Sequence, residues 1–194
     1  SWFFNSSRGA VVNSPDLAEA LAEDGVAGAV LDVYEGEPEP PEELIARPEI
    51  ATPHIAGYAV EGKRRGAVVI YEQTCEALGE EPVPTGELLT RGFDPPAGQA
   101  VEFQTRGEAA LDADNAIRSL LKEIHDLGAW SDRLKATLEE PNRAELFDAM
   151  RKEYSRSRRH ELALYRVAVD DSVDSDVAAR IERCVRGWGG EVVK

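Results

Sequence analysis

The sequence predicts an α/β chain: half of a doubly wound domain, a linker, and then a small α+β unit. Three observations carry that prediction. Short apolar runs at 2–4, 27–33 and 50–52 alternate with helical periodicity at 14–24 and 60–78. A stretch dense in proline and glycine, 79–96, separates this alternation from a second one. With 42% hydrophobic and 30% charged residues over 194 positions, the chain is long and apolar enough to bury sizeable cores.

Trp2-Phe3-Phe4 reads as a short buried strand and Asn5–Gly9 as the loop that leaves it. Ser14 fits a helix N-cap, with Pro15 at the first helical position. Leu17, Ala18 and Leu21 recur at helical spacing, and Gly25 stops the helix. Ala27–Val33 is an apolar run broken only by Asp32, as in a strand covered on both faces. Glu35–Pro41 is a loop of glutamate and proline, and Ile50–Thr52 is a strand leading into Pro53-His54. Val60–Leu78 is helical, with Ala67, Val68, Tyr71, Cys75 and Leu78 on one stripe.

Beyond the linker, Val101–Thr105 reads as a strand. Asp112–Leu127 reads as an amphipathic helix burying Ile117, Leu120, Leu121, Ile124 and Leu127 and ended by Gly128. Helical stretches follow near 131–138 and 141–154, then a strand at Leu162–Val169. Ser172 is expected to cap a helix carrying Val177, Ile181 and Val185, and Gly189-Gly190 turns into a last strand, Glu191–Val193.

Charge narrows the function. A net charge of −15 opposes binding to nucleic acid or to anionic membranes. No apolar run approaches the roughly 20 residues that span a bilayer, and no basic-then-apolar leader is visible, so the expected location is cytoplasmic. Cys75 and Cys184 stand in no metal-ligand spacing, and the three histidines do not cluster, so no metal site is expected.

Arg8, Glu37 and His54 fall at predicted strand ends or in the loops just beyond them, the edge at which open α/β sheets bind ligands. A guanidinium clamps a carboxylate with two parallel hydrogen bonds. An imidazole exchanges a proton near neutral pH, and an adjacent carboxylate orients it. The three together suit a 2-hydroxy or 2-oxo acid, although spacing alone does not bring them together in space. Asp32 is a carboxylate inside an apolar strand, costly to bury unless paired; it serves either a site or a neighbouring loop. Tyr58 is either a substrate contact or a packing residue. The basic island 155–160 is a solvated helix end or a contact for phosphate or a partner subunit.

The segments NSSRGAVV, LDVYEGEP and ATPHIAGYAVEGKRRG resemble the D-isomer-specific 2-hydroxyacid dehydrogenases. The resemblance implies that residues 1–80 are the C-terminal part of a Rossmann-like NAD-binding domain, with 81–98 a linker and 99–194 an α+β domain that forms a homodimer. It implies that Arg8 holds the substrate carboxylate, that His54 is the acid/base on the 2-hydroxyl, and that Glu37 pairs with His54. It further implies that Ser6, Ser7, Arg8, Asp32 and Gly57 line the NAD site and that Tyr58 contacts substrate. The run HIAGY followed by EGKRRG is the narrower signature, and it points to a phosphorylated 2-hydroxy acid as substrate.

No G-x-G-x-x-G occurs in the chain, so the turn that cradles a cofactor pyrophosphate is absent from it. The chain opens on Ser1 and its only methionine is Met150. The expectation is a C-terminal portion of a longer enzyme, with the catalytic residues but half the cofactor site, and inactive alone. The alternatives are another dehydrogenase of the same family and a non-catalytic dimerisation module.

Overall fold

The computed structural model describes residues 1–84, 101–104, 112–156, 165–171, 173–187 and 191–193. The chain divides into two compact units, residues 1–63 with 127–159 and residues 64–126 with 160–194.

In the first unit, strands β1 (Trp2–Asn5), β2 (Gly28–Leu31) and β3 (Ile50–Ala51) form a parallel sheet in the order β1-β2-β3. Parallel neighbours need crossovers, and helix α1 (Ser14–Ala22) and the short helix α2 (Glu43–Ala46) supply them. The α1 cap is Asn13, whose Oδ1 accepts from the Asp16 amide at 3.1 Å, while Ser14 is the first helical residue. An amide oxygen one residue earlier fills the role expected of the Ser14 hydroxyl. Strand β1 is not buried as expected. Phe3 packs on the core, but Trp2 and Phe4 are 55% and 67% exposed and stack on each other, because alternate side chains of this edge strand face opposite ways.

Helices α5 (Leu127–Ala136) and α6 (Arg143–Arg156) pack in this same unit. Leu134, Phe147 and Met150 share one core with Leu31, Leu44, Ile45 and Ala51. The sequence reading grouped these helices with the C-terminal domain. Their apolar faces instead cover the first sheet, and Ser131 Oγ accepts a buried hydrogen bond from the Ala51 amide at 3.0 Å.

Helix α3 (Val60–Leu78) buries Val68 and Cys75, but Leu78 is exposed, so its apolar stripe is narrower than the periodicity implied. In the second unit, β4 (Val101–Gln104), β5 (Tyr165–Ala168) and β6 (Glu191–Val193) form a sheet in the order β4-β5-β6. Both strand pairs are parallel, which departs from the α+β expectation: strands joined through helices return in the same direction. Helix α4 (Ala113–Ile124) and helix α7 (Ser175–Gly187) close its core through Ala116, Leu120, Ile181 and Val185, with Val167 of β5. The buried stripe of α4 is Ala113, Ala116 and Leu120, the small residues allowing a close approach, and Leu121 is 40% exposed. Asp112 caps α4, its side chain accepting from the Asp114 amide, and the helix stops at His125 rather than at the predicted Gly128. Asp174 Oδ1 accepts from the amides of Asp176 and Val177 at the start of α7. The predicted cap Ser172, most of the 79–96 linker, Gly189-Gly190 and positions 157–160 of the basic island lie outside the described residues.

Candidate active site

All the residues singled out at the sheet edge follow the carboxyl ends of β1, β2 and β3, because the three strands run parallel. The loop after β1 is organised by Asn5. Its Oδ1 accepts from the amide and the hydroxyl of Ser7, both at 3.1 Å, and its Nδ2 donates to the Arg8 carbonyl at 3.0 Å. Gly9 then lies flat against the exit of β2. A Cβ there would stand 2.0 Å from the Tyr34 carbonyl carbon and 2.4 Å from the Glu35 nitrogen. Glycine is thus the residue that lets the two loops touch.

Asp32, 6% exposed, closes the end of β2. Oδ1 accepts from the Thr52 hydroxyl at 2.7 Å and the Ile55 amide at 2.8 Å, and Oδ2 from the Ala56 amide at 3.0 Å. Burial pushes its carboxyl above the usual carboxylate range, and these three donors and the nearby His54 oppose that rise. One carboxylate therefore ties down both ends of a tight loop. Between them His54 adopts a left-handed backbone, φ 55°, with its amide donating to the Thr52 carbonyl at 3.0 Å. A side chain in that region stores about 1–2 kcal/mol of strain, which the hydrogen bonds around it offset.

That conformation aims the imidazole at the loop after β2. His54 Nδ1 stands 2.7 Å from Glu37 Oε2, with the two side chains 22% and 16% exposed. Glu37 Oε1 accepts from the Tyr34 amide at 2.9 Å. The Tyr34 hydroxyl lies between the carbonyls of Leu31 and Thr52 at 3.0 and 3.1 Å. Its phenol is pushed well above its ordinary range by burial first, then by the carboxylates of Asp32 and Glu37. Tyr58 meets the imidazole edge to face, ring centroids 6.1 Å apart, and Lys63 Nζ lies 4.3 Å from the Tyr58 centroid.

The sheet edge thus joins His54, Glu37, Asp32 and Tyr58. Arg8 is exposed, and its guanidinium donates to the Ser7 carbonyl at 2.7 Å. Among the described residues no hydrogen bond or ion pair links Arg8 to Glu37 or His54. Ser6 and Ser7 are exposed on the same loop. A Cβ on Gly57 would stand 3.9 Å from both Cδ2 and Nε2 of His54, with nothing else among the described residues within 4 Å. Sequence reasoning missed Arg151 of α6, whose NH1 stands 3.4 Å from Glu37 Oε2. No motif or spacing marks an arginine 114 positions away. It also missed Asn5 and Thr52, which carry the loops rather than the chemistry.

Among the described residues no group of three or more His, Cys, Asp or Glu is arranged to hold a metal ion. No helix there is long and apolar enough to cross a membrane.

Residues 1–56 match the family described as D-isomer specific 2-hydroxyacid dehydrogenase, NAD binding domain. The chain is 38% identical to an erythronate-4-phosphate dehydrogenase of Azotobacter vinelandii over its whole length and 48% of that relative. It is 37% identical to the Pseudomonas fluorescens protein of that name over 83% of this chain and 41% of the relative. Against the Salinibacter ruber protein of that name, identity reaches 53% over 42% of this chain and 21% of the relative. The chain spans about half the length, or less, of these curated relatives.

Proposed function

We propose, for a chain whose residues 1–56 match the NAD-binding domain of the D-isomer specific 2-hydroxyacid dehydrogenases, that it is part of an enzyme oxidising 4-phospho-D-erythronate at C2 to 2-oxo-3-hydroxy-4-phosphobutanoate, a step of pyridoxine biosynthesis. The observation that carries the reading is the 2.7 Å contact between His54 Nδ1 and Glu37 Oε2. A carboxylate accepting at Nδ1 selects the tautomer with its proton there, which leaves the lone pair of Nε2 for a substrate hydroxyl.

NAD, when bound, supplies the acceptor for the hydride that leaves C2. Ser6, Ser7, Arg8, Asp32 and Gly57 are the proposed contacts for it, Asp32 mainly through the loop that it ties down. His54 takes the 2-hydroxyl proton at Nε2, and Glu37 stabilises the imidazolium that forms. Arg8 holds the substrate carboxylate; its exposed guanidinium is bound only to its neighbour's carbonyl among the described residues, so it is available for a two-point clamp. Tyr58 borders the substrate beside the imidazole. This division of labour is that of an acid/base pair with a separate anion clamp.

Residues 99–194 are proposed to hold the homodimer contact, and within them the unit built on β4, β5 and β6, since α5 and α6 already cover the first sheet. The net charge of −15 supports a setting without nucleic acid or anionic membrane, and the cytoplasm is the compartment proposed.

The test is NADH formation by a chain of the relatives' full length, with 4-phospho-D-erythronate and 3-phosphoglycerate compared. Preference for phosphoerythronate supports the reading. Preference for 3-phosphoglycerate moves the protein to a phosphoglycerate dehydrogenase, and turnover of neither leaves a dimerisation module. Sedimentation of the chain at twice 21.2 kDa supports the dimer, and sedimentation at 21.2 kDa removes it.

A further inference from the structure

We infer that Arg151 is a positioning residue for the His54–Glu37 pair, a role that rests on the acid/base reading above. Glu37 belongs to a loop of glutamate and proline, so its carboxylate direction is set by contacts. Oε1 is held by the Tyr34 amide, and Oε2 faces both His54 Nδ1 at 2.7 Å and Arg151 NH1 at 3.4 Å. The 3.4 Å contact is too long for a tight charge-assisted bond, so Arg151 acts on Glu37 as an oriented charge.

Arg151 is itself held firmly. Its other nitrogen pairs with Asp148 one turn earlier on α6. Its guanidinium carbon lies 5.3 Å from the ring centroid of Phe147, a fully buried side chain, and 5.5 Å from that of Tyr58. Tyr58 in turn meets the imidazole. Arg151 therefore touches the two groups that border His54, the carboxylate at Nδ1 and the phenol ring, and ties both to α6. An arginine engaged only with Asp148 across one helical turn would be an ordinary surface pair; the side chain here is 19% exposed and faces the site.

The test is ring NMR on the 194-residue chain labelled with 15N-histidine, which carries three histidines. A His54→Gln sample assigns the His54 signals, and water exchange of its Nδ1 proton is measured. Arg151→Met keeps the stem that packs on Phe147 and removes the charge. It is expected to speed that exchange several-fold without loss of the folded spectrum. Arg151→Lys is expected to recover part of the protection, since a lysine supplies the charge but not the planar contact with Tyr58. Asp148→Ala removes one of the anchors of Arg151 and is expected to speed exchange by less than Arg151→Met does. Unchanged exchange in folded Arg151→Met overturns the inference. If Arg151→Met does not fold, Arg151→Gln takes its place under the same criteria. Glu37→Gln separates the two levels: no effect there removes the acid/base pair, whereas an effect there with none at Arg151 removes only the role of Arg151.

Discussion

His54 Nδ1 and Glu37 Oε2 are 2.7 Å apart although 17 positions separate them, and the histidine reaches that contact with a left-handed backbone. The pair is assembled by two loops, each pinned by a buried group at a strand end: Asp32 beneath the histidine loop and the Tyr34 amide beside Glu37.

His54→Gln is expected to lower NAD-dependent oxidation by about 10²–10⁴-fold in a chain of the relatives' full length, the usual worth of a positioned acid/base. The loss is expected in kcat, with KM for substrate little changed, because the proposed carboxylate clamp is Arg8 and not His54. Steady-state rates across substrate concentration decide it. Near-normal turnover would falsify the assignment of His54.

Asp32→Asn tests the pin under the loop. An amide replaces one acceptor oxygen by a donor, so at least one of the Thr52, Ile55 and Ala56 hydrogen bonds is lost, at about 1–3 kcal/mol. The pH dependence has a definite sign. The folded-state pKa of Asp32 is raised, so its contribution is fully present below the ordinary carboxylate value near 4 and is lost as pH rises through the folded value. Melting temperatures from acid to neutral pH should therefore fall more steeply in the wild type than in Asp32→Asn. Parallel curves would exclude Asp32 as the source.

Gly9 and Gly66 make a matched pair. At Gly9 a Cβ would collide with the Tyr34 and Glu35 backbone, and Gly9→Ala is expected to destabilise by about 1–3 kcal/mol or more and to separate the Arg8 loop from the β2 exit. At Gly66, inside α3, a Cβ would meet nothing within 4 Å among the described residues, so Gly66→Ala is expected to stabilise by up to about 1 kcal/mol. Thermal melts of the two variants should move in opposite directions.

Ser131→Ala removes the acceptor of the buried Ala51 amide. An amide left buried without a partner is worth about 1–3 kcal/mol of lost stability. Hydrogen exchange at Ala51 should rise well above that of its β2 partner Leu31. Unchanged protection at Ala51 would mean that α5 is not what closes this edge of the sheet.

Much of the site was legible because it is local. Arginine-glycine, aspartate in an apolar run, and proline-histidine each sit at the end of a strand that periodicity alone marks, and the resemblance supplied roles for them. Other features left only a partial trace. The Trp2-Phe3-Phe4 run announces a strand, but alternation says which side chains share a face and not whether anything covers that face. Asn13 rather than Ser14 caps α1 because both residue types suit the position, and only backbone geometry chooses between neighbours.

By itself the sequence determined the order of strands and helices, the glycines and prolines that punctuate them, and which polar residues fall at the strand ends, His54 and Glu37 among them. These depend on intrinsic propensity and on spacings of a few residues. Only the tertiary structure decided that α5 and α6 cover the first sheet, that Ser131 completes β3, and that Arg151 stands at Glu37, positions 80 and 114 apart along the chain. The physical reason is that such contacts arise from the burial of apolar faces. Periodicity marks which face of a helix is apolar, but burial is non-directional, so the pattern does not say which sheet that face covers.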